Sequence, residues 1–264
     1  MANDVDNTNT DDSVLLIDEH IEETSEGGLK VRHRGIYLLP NLFTTAALFC
    51  GFYAIIASIH GKFEPAAIAI FAAMVFDGLD GRIARLTNTT SAFGVQYDSL
   101  SDMVSFGVAP ALVSFNWALS SLGKVGWSIS FLYATCAALR LARFNTQVDT
   151  ADKNYFTGLA SPAAAAILAS IVWVGADNEI EMNKIISIGV CAVVAMAGIL
   201  MVTNIKYYSF KGIDFKSRVP FIMILAAVLL FAIGLSNAPI FLLVLATIYA
   251  LSGPVMSIRL RSKS

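Results

Sequence analysis

Four aspartates and the small residues beside them are the part of this sequence that could do chemistry. Residues 77–85 read DGLDGRIAR and follow directly on an apolar stretch, EPAAIAIFAAMVF. Residues three apart on an α-helix lie about 60° from one another around its axis, so Asp77 and Asp80 share one face of a predicted helix. Gly81 and Ala84 lie on that face as well. Their small side chains leave room beside the carboxylates for a ligand or a second helix.

A second pair of aspartates begins the next apolar segment. Asp98 and Asp102 stand at i and i+4, which puts them on one helical face, and Gly94 precedes Asp98 by one turn. Only a short polar turn separates the two segments, so the four carboxylates can meet at neighbouring helix ends. Ionisable residues embedded in apolar helices indicate a functional site.

Four negative charges so close together require a cation between them, because repulsion and loss of solvation would otherwise cost several kcal/mol per group. An oxygen-only ligand set without nearby His or Cys favours Mg²⁺ or Mn²⁺ ahead of Ca²⁺. Two ions would balance four carboxylates, and a paired-metal site can stabilise an attacking and a leaving oxygen. The predicted metal ligands are Asp77, Asp80, Asp98 and Asp102.

A purely structural role for these acids is the alternative. They would then pair with Arg82 or Arg85, or cap helix ends. That role suits Asp98 and Asp102 near a helix start, but it does not suit Asp77 and Asp80, which lie near a helix end where the dipole disfavours negative charge. The metal site is therefore the favoured interpretation.

The elements that must position the aspartates are membrane helices. Of 264 residues, 56% are hydrophobic and only 14% are charged, and the mean hydropathy of +0.66 exceeds what a soluble domain of this length can bury. An all-α, polytopic helix bundle is predicted. Eight stretches are long enough to span a bilayer: 36–60, 64–86, 96–121, 125–144, 158–176, 184–204, 219–235 and 239–258.

Basic residues orient these spans. With the N-terminus in the cytoplasm, fifteen of the eighteen Lys and Arg residues fall on the cytoplasmic side, and only Lys62, Lys124 and Lys184 fall on the other. This alternation follows the positive-inside rule and agrees with an even number of spans. Both termini and the aspartates are then predicted to face the cytoplasm.

The chain before the first span is different in composition. Residues 1–27 hold nine of the twenty acidic residues and no Lys or Arg, which predicts a disordered acidic tail. Because this start is acidic rather than basic, we expect no cleaved signal peptide. Residues 28–38 form a basic juxtamembrane segment, and residues 39–264 form the membrane domain.

The aspartate pattern resembles the signature of the CDP-alcohol phosphatidyltransferases. D-x-x-D-G-x-x-A-R, eight further residues and G-x-x-x-D-x-x-x-D fill residues 77–102 with every signature position at the family spacing. Other segments resemble the branch of that family that uses serine as acceptor: LPNLFTTAALFCGF (39–52), LRLARFN (139–145), YFTGLASPAAAA (155–166) and LMVTNIKYYSFK (200–211). Two positions depart from the pattern, Ala47 where many members carry Asn and Ala160 where Pro is common.

The resemblance implies a reaction, an oligomeric state and a membrane location. A six-helix catalytic core with two further C-terminal helices would transfer the phosphatidyl group of CDP-diacylglycerol to the hydroxyl of L-serine, releasing CMP. It also implies a homodimer among membrane lipids, in a bacterial-type inner membrane, with no nucleic-acid partner. Asp102, the last signature aspartate, would be the general base that receives the serine proton.

The resemblance also suggests which residues hold the two substrates. The nucleotide and phosphates are assigned to Gly81, Ala84, Arg85, Gly94, Asn41 and Thr44. Because a guanidinium can grip a carboxylate with two hydrogen bonds, Arg140 and Arg143 are candidates for binding serine, and Ser161 and Lys206 are further candidates. Both arginines would equally suit a role as positive-inside anchors.

Two alternatives stay open from the sequence. The same metal site would serve another acceptor alcohol, such as glycerol 3-phosphate, inositol or its phosphate, or choline. A cation-coupled or proton-coupled transporter also embeds acids in its spans, but it is expected to hold them near mid-membrane, often beside broken helices.

Overall fold

The structure is a computed structural model that describes residues 24–26, 29–31, 38–87, 91–146, 155–208, 234 and 236–261. The chain divides into two units, Met1–Ile36 and Tyr37–Ser264. In the first unit, β1 (Thr24–Glu26) pairs antiparallel with β2 (Leu29–Val31). The rest of the predicted acidic tail lies outside the described residues, so the predicted domain boundaries stay a prediction.

The second unit is built from helices. Among the described residues its α-helices are α1 (Leu38–Ile59), α2 (Phe63–Leu86), α3 (Ala92–Asp102), α4 (Ala109–Ser114), α5 (Lys124–Thr146), α6 (Ser161–Asp177), α7 (Lys184–Val202) and α8 (Ala238–Arg261). The π-helical turn Met103–Val108 joins α3 to α4, and a second π-helical turn, Phe115–Leu119, follows α4. Together they form one long rod that ends in the 3₁₀ turn Ser120–Leu122. One short antiparallel ladder joins β3 (Tyr155–Thr157) to β4 (Lys206–Tyr208).

The predicted helical membrane domain is confirmed among the described residues. Five segments are long and apolar enough to cross a membrane: Leu39–Ile59, Phe93–Leu122, Lys124–Thr146, Lys184–Val202 and Ala238–Val255. The predicted span 64–86 coincides with α2, which carries charged residues of the site and is therefore not among these five segments. The predicted span 158–176 coincides with α6, an apolar helix of 17 residues that is shorter than the five. The predicted span 219–235 lies outside the described residues except for Gly234. The count of eight spans and their orientation stay predictions.

Small side chains let α1, α2 and the α3–α4 rod approach closely. The core between them consists largely of buried alanines, among them Ala54, Ala66 and Ala73, each 0% exposed. Gly51 in α1 lies so near Ser105 that an added Cβ would be 2.7 Å from the Ser105 Cα. Such contacts between small residues substitute for hydrophobic driving force when helices associate in lipid.

The β3–β4 ladder ties the last helix to the rest of the bundle. Gly158, at φ +81°, donates its N–H to the Ile205 carbonyl at 2.8 Å and so turns the chain towards α6. The fully buried Tyr207 donates from its hydroxyl to the Ala250 carbonyl of α8 at 3.2 Å. Burial, with a smaller effect from Tyr249, raises the pKa of Tyr207 to about 12, so its phenol keeps the proton that it donates.

Candidate metal centre and active site

Three of the four predicted metal ligands converge in the structure. Asp77 of α2 and Asp98 and Asp102 of α3 each offer a carboxylate oxygen, and these oxygens all lie within 4.8 Å of one another. Ser91 is the N-cap of α3: its hydroxyl accepts a hydrogen bond from the Gly94 N–H at 2.9 Å, so the helix begins at Ala92. The two helix ends predicted to meet do so.

Asp80 takes a different position from the other three aspartates. It is only 5% exposed, and its Oδ2 accepts a hydrogen bond from the Thr44 hydroxyl at 2.7 Å. It does not belong to the group of ligand atoms within 4.8 Å, but Asp80 and Asp98 line the same neighbouring cavity. The fourth carboxylate therefore lines the cavity next to the cluster and is bonded to α1.

The donor set fits a divalent cation. All the clustered donors are carboxylate oxygens, which hard cations prefer. Oδ1 of Asp98 is buried and has no hydrogen-bond partner within the part of the chain that the structure describes, and a buried carboxylate oxygen without a partner is costly unless something binds it. Asp77, Asp98 and Asp102 would hold such an ion, with Asp80 beside them. The identity and number of the ions stay predictions.

A cavity of about 240 Å³ opens beside these aspartates. Its lining comes from α1, α2 and the start of α3: Pro40, Asn41, Thr44, Asp80, Gly81, Ala84, Arg85, Ser91, Gly94, Val95 and Asp98. All six residues that were assigned to the nucleotide and phosphates are among them. The Arg85 Nε–H donates to the Gly81 carbonyl at 2.8 Å, which holds this guanidinium along the cavity wall. The structure thus brings the predicted residues together, while their roles stay predictions.

Of the four residues assigned to serine, two are hydrogen-bonded to each other. The Nη1 of Arg140 donates to the Ser161 hydroxyl, and Asp102 lies within electrostatic range of the Arg140 guanidinium. The Arg140 Nε is buried without a hydrogen-bond partner among the described residues. This donor could serve an anionic ligand next to Asp102.

The other two residues assigned to serine make different contacts. The Nη2 of Arg143 donates to Asn204 Oδ1 at 2.7 Å. Lys206 pairs with Thr157 in the β3–β4 ladder. The two arginines were equivalent in the sequence, one helical turn apart, and only the structure separates them: Arg140 lies within electrostatic range of Asp102, whereas Arg143 bonds to Asn204.

Two residues near the site, Tyr249 and Ser101, had no signal in the sequence. Tyr249 of α8 lies within electrostatic range of Arg140, and its ring packs against Tyr207 with the centroids 5.8 Å apart. Ser101 donates to the Thr44 carbonyl at 3.1 Å. A tyrosine or a serine in an apolar span is unremarkable by itself, since membrane helices often place tyrosine at interfaces and serine in helix contacts. Neither residue could have been found without tertiary packing.

The fold and the site together define a membrane-embedded helical enzyme with an acidic cluster that could hold a metal ion beside a cavity. The family model described as CDP-alcohol phosphatidyltransferase matches residues 37–210, from the start of α1 to just beyond β4. The chain belongs to this family, and the resemblance seen in the sequence is confirmed.

Similar proteins of named activity come from bacteria and archaea. A CDP-diacylglycerol--serine O-phosphatidyltransferase of Helicobacter pylori (strain J99) is 37% identical over 211 residues, covering 78% of this chain and 87% of its own length. One with the same description from Methanocaldococcus jannaschii is 37% identical over 190 residues, covering 72% and 83%. An archaetidylserine synthase of Methanothermobacter thermautotrophicus is 34% identical over 176 residues, covering 66% and 71%.

A solved structure supports the fold. The phosphatidylinositol phosphate synthase of Mycobacterium tuberculosis, crystallised with CDP-DAG bound, superposes with a TM-score of 0.50 at 17% identity. The match covers 64% of this chain and 83% of that one. At this identity the likeness concerns the arrangement of helices alone.

Proposed function

We propose that this protein transfers the phosphatidyl group of CDP-diacylglycerol to the hydroxyl of L-serine, giving phosphatidylserine and CMP. The observation that carries the proposal is the hydrogen bond between Arg140 and Ser161, with Asp102 within electrostatic range of the Arg140 guanidinium. A carboxylate base and a cation in one region suit an acceptor that has both a hydroxyl and a carboxylate. The descriptions of the relatives from Helicobacter and Methanocaldococcus support the same acceptor.

The donor would occupy the cavity between α1, α2 and α3. Gly81, Ala84 and Gly94 leave space for the nucleotide, and the Arg85 guanidinium would bind the negatively charged phosphates. The Asn41 Oδ1 lies 3.6 Å from where a Cβ on Gly94 would be, so these two residues form one part of the cavity wall. The acyl chains would extend between helices into lipid, which explains a polar site at the ends of apolar helices.

The reaction exchanges the phosphoanhydride bond of CDP-diacylglycerol for a phosphoester bond to serine. The serine hydroxyl oxygen attacks the phosphorus that carries diacylglycerol, a new P–O bond forms, and the bond to CMP breaks. Asp102 takes the proton from the serine hydroxyl, while Arg140 holds the serine carboxylate through a charge-assisted contact. A divalent cation bound by the aspartates would neutralise pyrophosphate charge and stabilise the CMP leaving group. Metal binding and base function both fall on Asp102.

The proposal includes a cellular setting. The excess of Lys and Arg on one side, fifteen against three, favours a cytoplasm-facing site in a bacterial-type inner membrane, with both termini in the cytoplasm. Homodimerisation is proposed from family membership.

The acceptor is tested with purified protein, CDP-diacylglycerol and Mn²⁺ or Mg²⁺, by measuring CMP release with each alcohol in turn. Serine should support the fastest release, and a chelator should abolish it until Mn²⁺ or Mg²⁺ is restored. Equal or faster release with glycerol 3-phosphate or inositol phosphate would overturn serine as acceptor and leave the family reaction intact. Asp102→Asn should lose turnover while it still binds CDP-diacylglycerol, and retained turnover would refute its role as base.

A further inference from the structure

Thr44 hydrogen-bonds to both helices that carry the aspartates. Its hydroxyl donates to Asp80 Oδ2 of α2 at 2.7 Å, and its carbonyl accepts from the Ser101 hydroxyl of α3 at 3.1 Å. All three residues are almost inaccessible, with Thr44 4%, Asp80 5% and Ser101 2% exposed. One residue of α1 thus connects α2 to α3 at the level of the aspartate cluster.

The contact with α3 continues for another turn and limits the movement of that helix. Ser105 donates to the Ala47 carbonyl at 3.0 Å, and Gly51 provides the space that Ser105 occupies. Ser101 and Ser105 lie on either side of the change from α-helix to π-helix at Met103. Wide π turns of this kind are frequent at functional sites. Asp98 and Asp102 therefore belong to a helix that is tied to the backbone of α1.

The hydroxyl of Thr44 is committed to Asp80 rather than open to a ligand. It has one proton, and the carboxylate oxygen at 2.7 Å is a nearer and stronger acceptor than the Pro40 carbonyl at 3.2 Å. A direct nucleotide contact, which the family resemblance suggests for Thr44, would have to compete with this bond. The shorter bond restrains the rotation of the Asp80 carboxylate.

We propose that Thr44 is a positioning residue of the metal centre: it orients Asp80 through its hydroxyl and aligns α2 with α3 through its carbonyl. This inference rests on the metal centre of the proposed function. Partners that orient metal ligands typically contribute about 10- to 100-fold to metal affinity. Thr44 should therefore affect cation affinity before it affects substrate affinity.

The test measures Mn²⁺ binding to the purified full-length protein without substrates, by titration calorimetry. Thr44→Val keeps the shape of the side chain and removes the hydroxyl, and it should weaken Mn²⁺ binding about tenfold. Thr44→Ser keeps the hydroxyl and should stay within about twofold of the wild type. Thr135→Val is the matched control, because the Thr135 hydroxyl bonds only to the Phe131 carbonyl of its own helix among the hydrogen bonds seen, at 2.8 Å. It should leave Mn²⁺ affinity unchanged.

The possible outcomes separate this inference from the metal centre itself. A wild-type protein that binds no Mn²⁺ would overturn both. Normal Mn²⁺ affinity in Thr44→Val with a raised KM for CDP-diacylglycerol would instead make Thr44 a nucleotide contact. An equal loss of affinity in Thr44→Val and Thr44→Ser would also refute the role of the hydroxyl. Thermal unfolding of each variant in the same detergent checks that the fold is retained.

Discussion

Gly81 and Gly78 allow a direct test of the cavity, because both lie in α2, each follows an aspartate, and only one of them faces the ligand space. Gly81 lines the cavity, and a Cβ added there would lie 3.8 Å from Arg85 Nη2, an ordinary contact. Gly78 is exposed on the outside of the helix, and a Cβ there would meet nothing within 4 Å. Alanine fits at both positions without a clash in the protein.

The two substitutions should have the same effect on stability and different effects on the KM for CDP-diacylglycerol. Replacing a helical glycine by alanine at a compatible site stabilises a protein by about 0.4–1 kcal/mol, since the unfolded chain loses freedom. Both variants should therefore unfold at slightly higher temperature. A methyl group forced into a closely filled space costs about 1–3 kcal/mol, so Gly81→Ala should raise the KM for CDP-diacylglycerol roughly 5- to 150-fold.

The assay is CMP release in mixed micelles at saturating serine and Mn²⁺, with thermal unfolding in the same detergent. Gly78→Ala should keep the wild-type KM. An unchanged KM in Gly81→Ala would refute the assignment of the cavity to the donor. Equal losses in the two variants would show that α2 needs glycine for its own flexibility rather than for space.

Two further predictions concern the acceptor side and the connection to α6. Arg140→Lys keeps the positive charge and loses the planar guanidinium, so it should raise the KM for serine about tenfold or more. Arg143→Lys should change this KM little. If Arg143→Lys had the larger effect in the same CMP-release assay, the serine contact would be assigned to Arg143. Gly158→Ala has two destabilising effects: a left-handed φ of +81° and an added Cβ only 2.3 Å from the Met201 carbonyl oxygen. Gly61→Ala is the matched control, because its added Cβ meets no atom within 4 Å and only the φ of +72° is unfavourable. Thermal unfolding should show Gly158→Ala as the more destabilised variant, by at least about 1 kcal/mol, and equal destabilisation of the two would contradict the close packing described at Gly158.

The helices and the aspartates could be predicted because their signals are local. Seven of the eight predicted spans correspond to helices in the described residues, since hydropathy over about 20 residues is a property of one segment. The aspartates of one helix share a face by helical periodicity, and the next pair follows after a short turn. Convergence of Asp77 with Asp98 and Asp102 was therefore predictable from the chain alone.

The π-helical turns after Asp102 were not predictable, and they matter for what faces the site. A wider turn shifts the face presented by the following residues by about one position relative to an unbroken α-helix. Regular periodicity continued through Met103–Val108 would therefore assign the following residues to the wrong face of the helix. The close approach of Gly51 and Ser105, which accompanies the turn, depends on two helices at once.

The sequence by itself determined that this protein is a membrane helix bundle with four carboxylates at adjoining helix ends, because composition, periodicity and short connections act within single segments. Only the tertiary structure decided that Thr44 bonds to Asp80, that Arg140 lies within electrostatic range of Asp102 while Arg143 bonds to Asn204, and that α8 brings Tyr249 within the same range of Arg140. These pairs are far apart in the chain. Their contacts depend on how each helix is rotated and spaced against its neighbours, which small residues and π turns set in three dimensions.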